Sequence, residues 1–405
     1  MRDRKIDSVD LKDCTLLGGW LVDGTGDPAR QNQALKIANG QIQGICSSEE
    51  VSPEEDLLDF SGDTVLPCLV DSHVHLFMSG TTDARVRQEQ LEARFEEILP
   101  RIDARIGRYA ACGIAAVRDG GDARGHALRY RSEILPKRFA WFTVRSPGRA
   151  FRSAGRYGKL IGRPPEAGRT LADSIAAEAD GADHVKIVNS GLNSLLSFGK
   201  TTAPQFSLDV LSAAVRAARR RGWKVMVHAN GPEPVRMAVA AGCHSIEHGF
   251  FMGIENLQRM AERGTVWVPT AVTMKAYAES LPAGSREAAG AARNLEHQLG
   301  QIEAARRLGV TVAAGSDAGS LNVHHGSGCI EEIRLLASAG FSIEEAVCCA
   351  SVKGARLLGL ERAGRRVAAG RPASFVVCTG GPERLPDSLR RVKALYVEGN
   401  RVLPP

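Results

Sequence analysis

Short apolar runs alternate with amphipathic stretches through the middle of the chain. Eight of these runs have the length and composition of buried strands. They lie near residues 64–74, 114–118, 140–145, 184–189, 224–228, 244–247, 265–269 and 310–315. Because eight strands that alternate with helices are typical of a closed parallel barrel, the pattern predicts an α/β fold with a (β/α)8 TIM barrel over residues 66–360.

The stretches between the runs carry helix signals. Apolar residues at spacings of three and four predict one helix over residues 89–106, which Pro100 is expected to kink. Ser207 is the predicted N-cap of a later helix. Ser342 and Glu345 form a predicted capping box near the end of the barrel.

Both ends of the chain have the pattern of short strands instead. Asn39-Gly40 separates two apolar runs and suits a tight hairpin turn. Strands are also predicted at 374–378 and 393–397. We therefore predict that residues 1–65 and 361–405 pair into one small, discontinuous β-sandwich domain beside the barrel.

Composition excludes several classes of protein. The net charge of +6 is spread over many residues, and the dense basic run at 219–221 ends a predicted helix, so no nucleic-acid partner is expected. No apolar stretch reaches 18 residues, so no membrane partner is expected. Nine scattered cysteines favour reduced thiols and a cytoplasmic location. We expect a small-molecule substrate and a homo-oligomer.

Candidate chemistry begins where the first apolar run ends, in the sequence DSHVH. His73 and His75 are two residues apart, so in a strand they project from the same face. The carboxyl ends of barrel strands are where active sites of this fold are built. Two histidines alone could still be a packed pair in the core. A metal site is favoured only if residues that bind metals also occur at the ends of later strands.

Each of four later apolar runs carries one residue of a type suited to a metal site. These residues are Lys186, His228, His248 and Asp317. Six such residues on one rim favour a metal site over packing. Burial lowers the pKa of a lysine, and its neutral amine can add carbon dioxide to form a carbamate that bridges two metals. The alternative for Lys186 is a salt bridge with Asp317.

These residues and their surroundings resemble the amidohydrolase superfamily, in its two-metal branch with a carbamylated lysine. The nearest resemblance is to imidazolonepropionase-like and Xaa-Pro dipeptidase-like members. The matching segments are PCLVDSHVHL, VKIVNSG, VHANG, SIEHGFF, AERGTVWVPT, GSDAG and LLGLERAGRRVAAGRPASFVV. The ordered set of histidine pair, lysine, two histidines and aspartate carries most of the specificity.

The resemblance implies two divalent metal ions and a CO2-derived carbamate on Lys186. It assigns His73, His75 and Asp317 to one metal, and His228 and His248 to the other. Nitrogen and carboxylate ligands suit zinc, although manganese, cobalt or iron would also fit. The resemblance further implies that a metal-bridging hydroxide attacks the substrate, and that Asp317 is the catalytic proton carrier.

The residues expected to contact the substrate resemble the family less closely than the predicted metal ligands do. Asn230 follows His228 where peptide-cleaving relatives have a second histidine, and a loop with four arginines follows the third strand. We expect that loop to line the pocket, and His325 to contact the substrate from the other side. The predicted substrate-binding residues are Arg152, Arg156, Tyr157, Asn230 and His325.

The expected function is hydrolysis of an amide C–N bond in an N-acyl amino acid, a dipeptide or a related carboxylate-bearing amide. An arginine-rich loop suits a free carboxylate because the guanidinium group binds carboxylates in a bidentate way. The alternatives are a cyclic-amide or aromatic-amide hydrolase, an ester or lactone hydrolase, and a single-metal deaminase on the same fold.

Overall fold

The computed structural model describes residues 11, 13–52, 54–178, 181–360 and 366–402. The predicted start of the chain at 1–10 and the predicted domain boundary at 361 lie outside these residues. The strands are β1 (Asp13–Leu21), β2 (Arg30–Ala38), β3 (Gln41–Ser47), β4 (Leu57–Pro67), β5 (Leu69–Val74), β6 (Ile114–Asp119), β7 (Thr143–Arg145), β8 (Ala150–Phe151), β9 (Gly162–Arg163), β10 (His184–Val188), β11 (Lys224–Ala229), β12 (Ser245–His248), β13 (Val266–Val268), β14 (Arg371–Pro372), β15 (Phe375–Thr379), β16 (Ala394–Val397) and β17 (Asn400–Arg401).

The helices lie mainly between the strands of the middle region. They are α1 (Ala84–Glu92), α2 (Phe95–Ala111), α3 (His126–Glu133), α4 (Leu135–Arg138), α5 (Leu171–Ala176), α6 (Leu208–Arg220), α7 (Pro232–Ala241), α8 (Ile254–Arg263), α9 (Val272–Ser280), α10 (Arg286–Arg307), α11 (Ser327–Ser338), α12 (Ile343–Cys348) and α13 (Gly354–Leu357). A π-helical segment, Cys349–Lys353, joins α12 to α13. No helix among the described residues is both long and apolar enough to cross a membrane.

The two ends of the chain form one sheet, as the sequence predicts. Its eight strands have the order β14-β3-β2-β1-β4-β15-β16-β17, so the four N-terminal strands lie between β14 and the other three C-terminal strands. The predicted hairpin is present, because Asn39 and Gly40 both have positive φ and join β2 to β3. Leu16, Val65 and Phe375 lie in the apolar core of this sheet. The chain then passes from β4 through Cys68 into β5, the first strand of the barrel.

The barrel consists of two parallel sheets that meet at their edges. One sheet has the order β5-β6-β7, and the other has the order β13-β12-β11-β10-β8-β9. The backbone N–H of Asp183, just before β10, donates to the carbonyl of Ser146, just after β7 (2.9 Å). Short β8 lies within the segment after the third strand, where a loop was predicted, and pairs with β10.

The eighth predicted run closes the barrel without forming a regular strand. Trp267 of β13 exchanges backbone hydrogen bonds with Thr311 and Ala313, each 2.9 Å long. On the other side the N–H of Ser72 donates to the carbonyl of Ala314 (2.9 Å), and that of Asp317 to the carbonyl of His73 (2.7 Å). The prediction of a strand at 310–315 is therefore wrong, although the segment occupies the eighth position of the barrel.

The helix predictions are confirmed in part. Ser207 caps α6 by accepting a hydrogen bond from the N–H of Val210, and Ser342 and Glu345 form the predicted capping box of α12. The single helix predicted over 89–106 is wrong, because the chain breaks between α1 and α2 and Pro100 lies inside α2. The fold class is confirmed: a TIM barrel with a β-sandwich-like domain built from both ends of the chain.

Candidate active site

A cavity opens at the carboxyl ends of the barrel strands and has two connected lobes. The inner lobe, of about 90 Å³, is lined by residues that include His73, His75, Lys186 and Asp317. The outer lobe, of about 290 Å³, shares His228, His248 and Asp317 with the inner one and opens toward the solvent. All six residues that the sequence predicts as metal ligands therefore line the inner lobe.

His73, His75 and Asp317 form the tightest group in this lobe. Oδ1 of Asp317 lies 3.6 Å from Nε2 of His73 and 3.4 Å from Nε2 of His75. One ligand atom from each of the three residues lies within 4.8 Å of the others. The two imidazoles thus project to the same side, as their spacing predicts. Two nitrogens and one carboxylate oxygen at such distances suit a divalent transition metal.

Hydrogen bonds to the outer ring nitrogens fix the direction of this histidine pair. His73 donates from Nδ1 to Oε2 of Glu247 (2.8 Å), and His75 donates from Nδ1 to the carbonyl of Gly121 (2.9 Å). Because the carbonyl of Gly121 and the Glu247 oxygen that also accepts from Arg118 act as acceptors, each Nδ1 is the donor, and each Nε2 lone pair faces the cavity. Such bonds orient metal-binding histidines.

His228 and His248 lie beside the first pair. The centroids of their rings are 4.6 Å apart, and the ring of His248 lies 5.0 Å from that of His73. His228 donates from Nε2 to the carbonyl of Gly191 (3.1 Å), which leaves Nδ1 as its lone-pair atom. Nδ1 of His248 lies 2.7 Å from the hydroxyl of Thr270. Burial lowers the pKa of all four histidines, to about 4 for His75 and about 3 for His228. Neutral imidazoles are the form that binds metals.

Lys186 lies in the middle of β10, between the two pairs of histidines. Its side chain is almost completely buried, and Nζ lies 3.5 Å from Nε2 of His73. Burial lowers the pKa of Lys186 to about 8, while the carboxylates of Glu247 and Asp317 oppose that change. Nζ forms no ion pair within 4.0 Å of Asp317 among the described contacts. The alternative of a Lys186–Asp317 salt bridge is therefore not what the structure contains.

Asp317 adopts a backbone conformation that non-glycine residues rarely use, with φ of +57°. Such strain is concentrated at functional sites because the surrounding structure must maintain it. Oδ2 accepts a hydrogen bond from the hydroxyl of Ser320 (2.9 Å), whereas buried Oδ1 has no hydrogen-bond partner among the described residues. Burial raises the pKa of Asp317 to about 6. An unpartnered carboxylate oxygen facing two imidazole lone pairs fits a cation.

A buried ion pair behind the histidines was missed at the sequence level. Arg118 of β6 donates from Nη2 to both carboxylate oxygens of Glu247 (2.9 and 3.0 Å), and from Nε to the carbonyl of Ser72 (2.8 Å). Both side chains are almost fully buried. A signal was available, since both charges lie inside predicted buried strands, where they must be paired.

The predicted substrate contacts divide into two groups. Tyr157 lines both lobes, and Asn230 lines the outer lobe. Arg152, Arg156 and His325 are not among the described residues that line the cavity. Arg152 donates to the carbonyls of Ser153 and Arg156, and Arg156 donates to that of Ala203. His325 is buried behind the site, where Nε2 lies 3.2 Å from the carbonyl of His75.

One cavity arginine was not found from the sequence. Arg87 of α1 lines both lobes of the cavity together with Asp317 and Ser320. Its Nη1 donates to the carbonyls of Ser79 (3.0 Å), Thr81 (3.3 Å) and Gly319 (3.2 Å). These bonds hold one edge of the guanidinium group, and no carboxylate among the described residues forms an ion pair with it. No local pattern marks this role, because it depends on a contact across 232 residues of sequence.

Comparison with known proteins is consistent with this geometry. The sequence profile of the Amidohydrolase family matches residues 64–402. Ochratoxinase from Aspergillus niger is 28% identical over 351 residues, which cover 77% of this chain and 70% of that protein. Imidazolonepropionase from Polaromonas sp. is 25% identical over 399 residues, which cover 89% of this chain and 86% of that protein. The crystal structure of a Xaa-Pro dipeptidase with bound methionine has a TM-score of 0.81 and 27% identity, and the match covers 96% of this chain and 99% of that chain.

Proposed function

The chain belongs to the amidohydrolase family, and from that premise we propose that it is a metal-dependent hydrolase of amide C–N bonds in small molecules that carry a free carboxylate. The observation that carries the proposal is the convergence of the His73 and His75 lone pairs on the unpartnered Oδ1 of Asp317. Packing alone does not account for a buried carboxylate oxygen in this position.

We propose that His73, His75 and Asp317 hold one divalent ion and that His228 and His248 hold a second. Zinc suits these ligands. Lys186, its buried amine converted to a carbamate by carbon dioxide with loss of a proton, would help to hold both ions. When bound, two such cations lower the pKa of a shared water and polarise the substrate carbonyl.

Asp317 is the proposed catalytic residue. The carboxylate of Asp317 accepts the proton of the attacking water and then delivers that proton to the leaving nitrogen. A C–O bond forms, the C–N bond breaks, and the products are a carboxylic acid and an amine.

Arg87 supports the proposal that the substrate carries a carboxylate. A half-buried guanidinium without an acidic partner is electrostatically unfavourable, and a bidentate carboxylate would compensate for it. The hydroxyl-bearing rings of Tyr157 and Tyr277 line the same lobe. An N-acyl amino acid or a dipeptide, cleaved so that an amino acid leaves, is the class of substrate that these groups fit best.

The test combines elemental analysis with one variant. Active protein should contain about two divalent ions per chain. Asp317→Asn should keep the fold and most of the metal, while turnover of N-acyl amino acids falls by at least about 10²-fold. One ion or none in active protein would refute the two-metal centre, and near-normal turnover of the variant would refute the role of Asp317.

We also propose a cytoplasmic homo-oligomer, and a division of the chain into a barrel of residues 66–360 and a β domain of residues 1–65 and 361–405. Size-exclusion chromatography with light scattering tests the oligomer. Limited proteolysis tests the domain division.

A further inference from the structure

The outer lobe of the cavity has a largely apolar wall that the proposed reaction does not require. Leu160, Leu192, Leu195, Phe250, Met274 and Leu321 all line it. Leu160 and Leu192 are 49% and 56% exposed, which is unusual for large apolar side chains. Exposed apolar residues at the rim of a polar cavity are typical of a ligand-binding surface.

The segment that carries Leu192 and Leu195 is packed against the barrel. The carbonyl of Leu195 lies so close to Gly290 of α10 that a Cβ at Gly290 would come within 1.7 Å of it. Asn294, also on α10, donates from Nδ2 to the carbonyl of Ser194 (3.1 Å). These contacts fix the backbone at Ser194 and Leu195, so this part of the apolar wall is formed before any ligand binds.

Farther along the same segment, Phe198 makes a second set of contacts with the barrel. The ring of Phe198 lies edge-on to that of Phe251, with 5.1 Å between centroids, and the guanidinium of Arg293 lies 3.9 Å above it. Leu196 is as exposed as Leu192, at 56%, but is not among the described residues that line the cavity. Leu192 and Leu196 therefore lie in the same segment and are equally exposed, but of the two only Leu192 lines the cavity.

We propose that this wall selects substrates with a large apolar acyl group, aromatic or branched aliphatic, on an amino acid whose carboxylate is bound by Arg87. The inference rests on the proposed function. We assign the carboxylate of the leaving amino acid to Arg87 and the acyl side of the amide to the apolar wall. Binding then removes the exposed faces of Leu160 and Leu192 from water, and that burial favours large acyl groups over acetyl.

The experiment compares N-acetyl and N-benzoyl derivatives of alanine, phenylalanine and proline with the metal-loaded, full-length protein. The benzoyl derivatives should have kcat/KM values higher by about tenfold or more. Leu192→Asn should remove most of that preference, because it lowers kcat/KM for the benzoyl derivatives more than for the acetyl derivatives. Leu196→Asn is the matched control and should keep the preference.

The outcomes separate this inference from the proposed function. Hydrolysis of both series at equal kcat/KM, or equal loss of preference in Leu192→Asn and Leu196→Asn, would overturn the apolar selection and leave the hydrolase intact. If no derivative is hydrolysed, the proposed function fails, and calorimetric binding decides the inference. Tighter binding of N-benzoyl than of N-acetyl derivatives, weakened only by Leu192→Asn, would support the wall, and equal binding would refute it.

Discussion

Nδ1 of His73 lies 2.8 Å from Oε2 of Glu247, and the two side chains come from strands that are not neighbours in the barrel. Glu247 in turn holds the buried guanidinium of Arg118. One carboxylate therefore fixes the proton of His73 on the outer ring nitrogen and balances a buried cation. Because the ring of His73 is already oriented, its lone pair faces the cavity and the ring does not have to turn when a metal binds.

Glu247→Gln should weaken the metal centre and the fold together. The amide keeps the size of the side chain but removes the charge that balances Arg118, and loss of one partner of a buried pair costs about 3–5 kcal/mol. Metal affinity should fall by about 10–100-fold, because the orientation of His73 depends on the same group. Denaturant unfolding and metal competition with a chelator measure the two effects.

The matched control for this prediction is Glu233→Gln. Glu233 also pairs with an arginine, Arg236, at a distance of 2.7 Å, but both side chains are exposed. Surface pairs contribute little to stability, so neither unfolding nor metal affinity should change measurably. Equal behaviour of the two variants would mean that Glu247 does not orient His73.

Lys186→Ala should lose metal and activity, because it removes the amine on which the proposed bridging carbamate forms. Short carboxylic acids such as acetate, added during metal loading, should restore part of both by supplying a carboxylate to the same space. Bicarbonate should increase metal loading of the native protein but not of the variant. Retention of both ions and of full activity by Lys186→Ala would exclude the bridge.

Arg87→Ala should raise KM for N-acyl amino acids by about tenfold or more, because a hydrogen-bonded charge pair contributes about 1.5–3 kcal/mol. The matching C-terminal amides, which have no carboxylate, should be affected much less. Arg152→Ala is the control, since Arg152 is not among the described residues that line the cavity and its guanidinium donates to carbonyls of its own loop. An unchanged KM in Arg87→Ala, or an equal rise for acids and amides, would argue against recognition of a carboxylate by Arg87.

Local patterns were sufficient to predict several parts of this protein. The alternation of strands and helices in the barrel, the hairpin at Asn39-Gly40 and the capping residues Ser207 and Ser342 all follow from local rules. The segment at 310–315 does not, because its bonds to β13 and β5 are too few and too irregular to make a strand. Closure of the barrel is a property of the whole ring of strands, which a local pattern does not contain.

Some residues of the site could likewise be predicted from local patterns, and others could not. His73 and His75 could be placed on one face because strand alternation is local, and the structure brings the four other predicted ligands to the same lobe. Arg87 lines the cavity from α1 and donates to the carbonyl of Gly319, so its role depends on a long-range contact. Arg152 and Arg156 illustrate the converse: their composition suggested a carboxylate site, but backbone carbonyls nearby already bind them.

The last prediction concerns pH and a carboxyl group outside the metal site. Glu332 of α11 is fully buried, and its two oxygens accept hydrogen bonds from the N–H groups of Ala271 (3.1 Å) and Val272 (2.9 Å). Burial raises its pKa from the ordinary value of 4.5 to about 8. Between those values the folded protein holds one proton more than the unfolded chain does, so the free energy of unfolding should fall as the pH rises through this window.

Glu332→Gln should remove that part of the pH dependence, because the amide cannot ionise and still accepts a backbone hydrogen bond. Urea unfolding of both proteins at several pH values between 5 and 8 is the measurement. Native protein should lose more stability than the variant over this range, and the two curves should converge toward the acid end, where Glu332 is protonated in the folded state. Parallel curves would mean that Glu332 is already ionised in the folded protein at pH 5, and that the two backbone N–H groups outweigh the effect of burial.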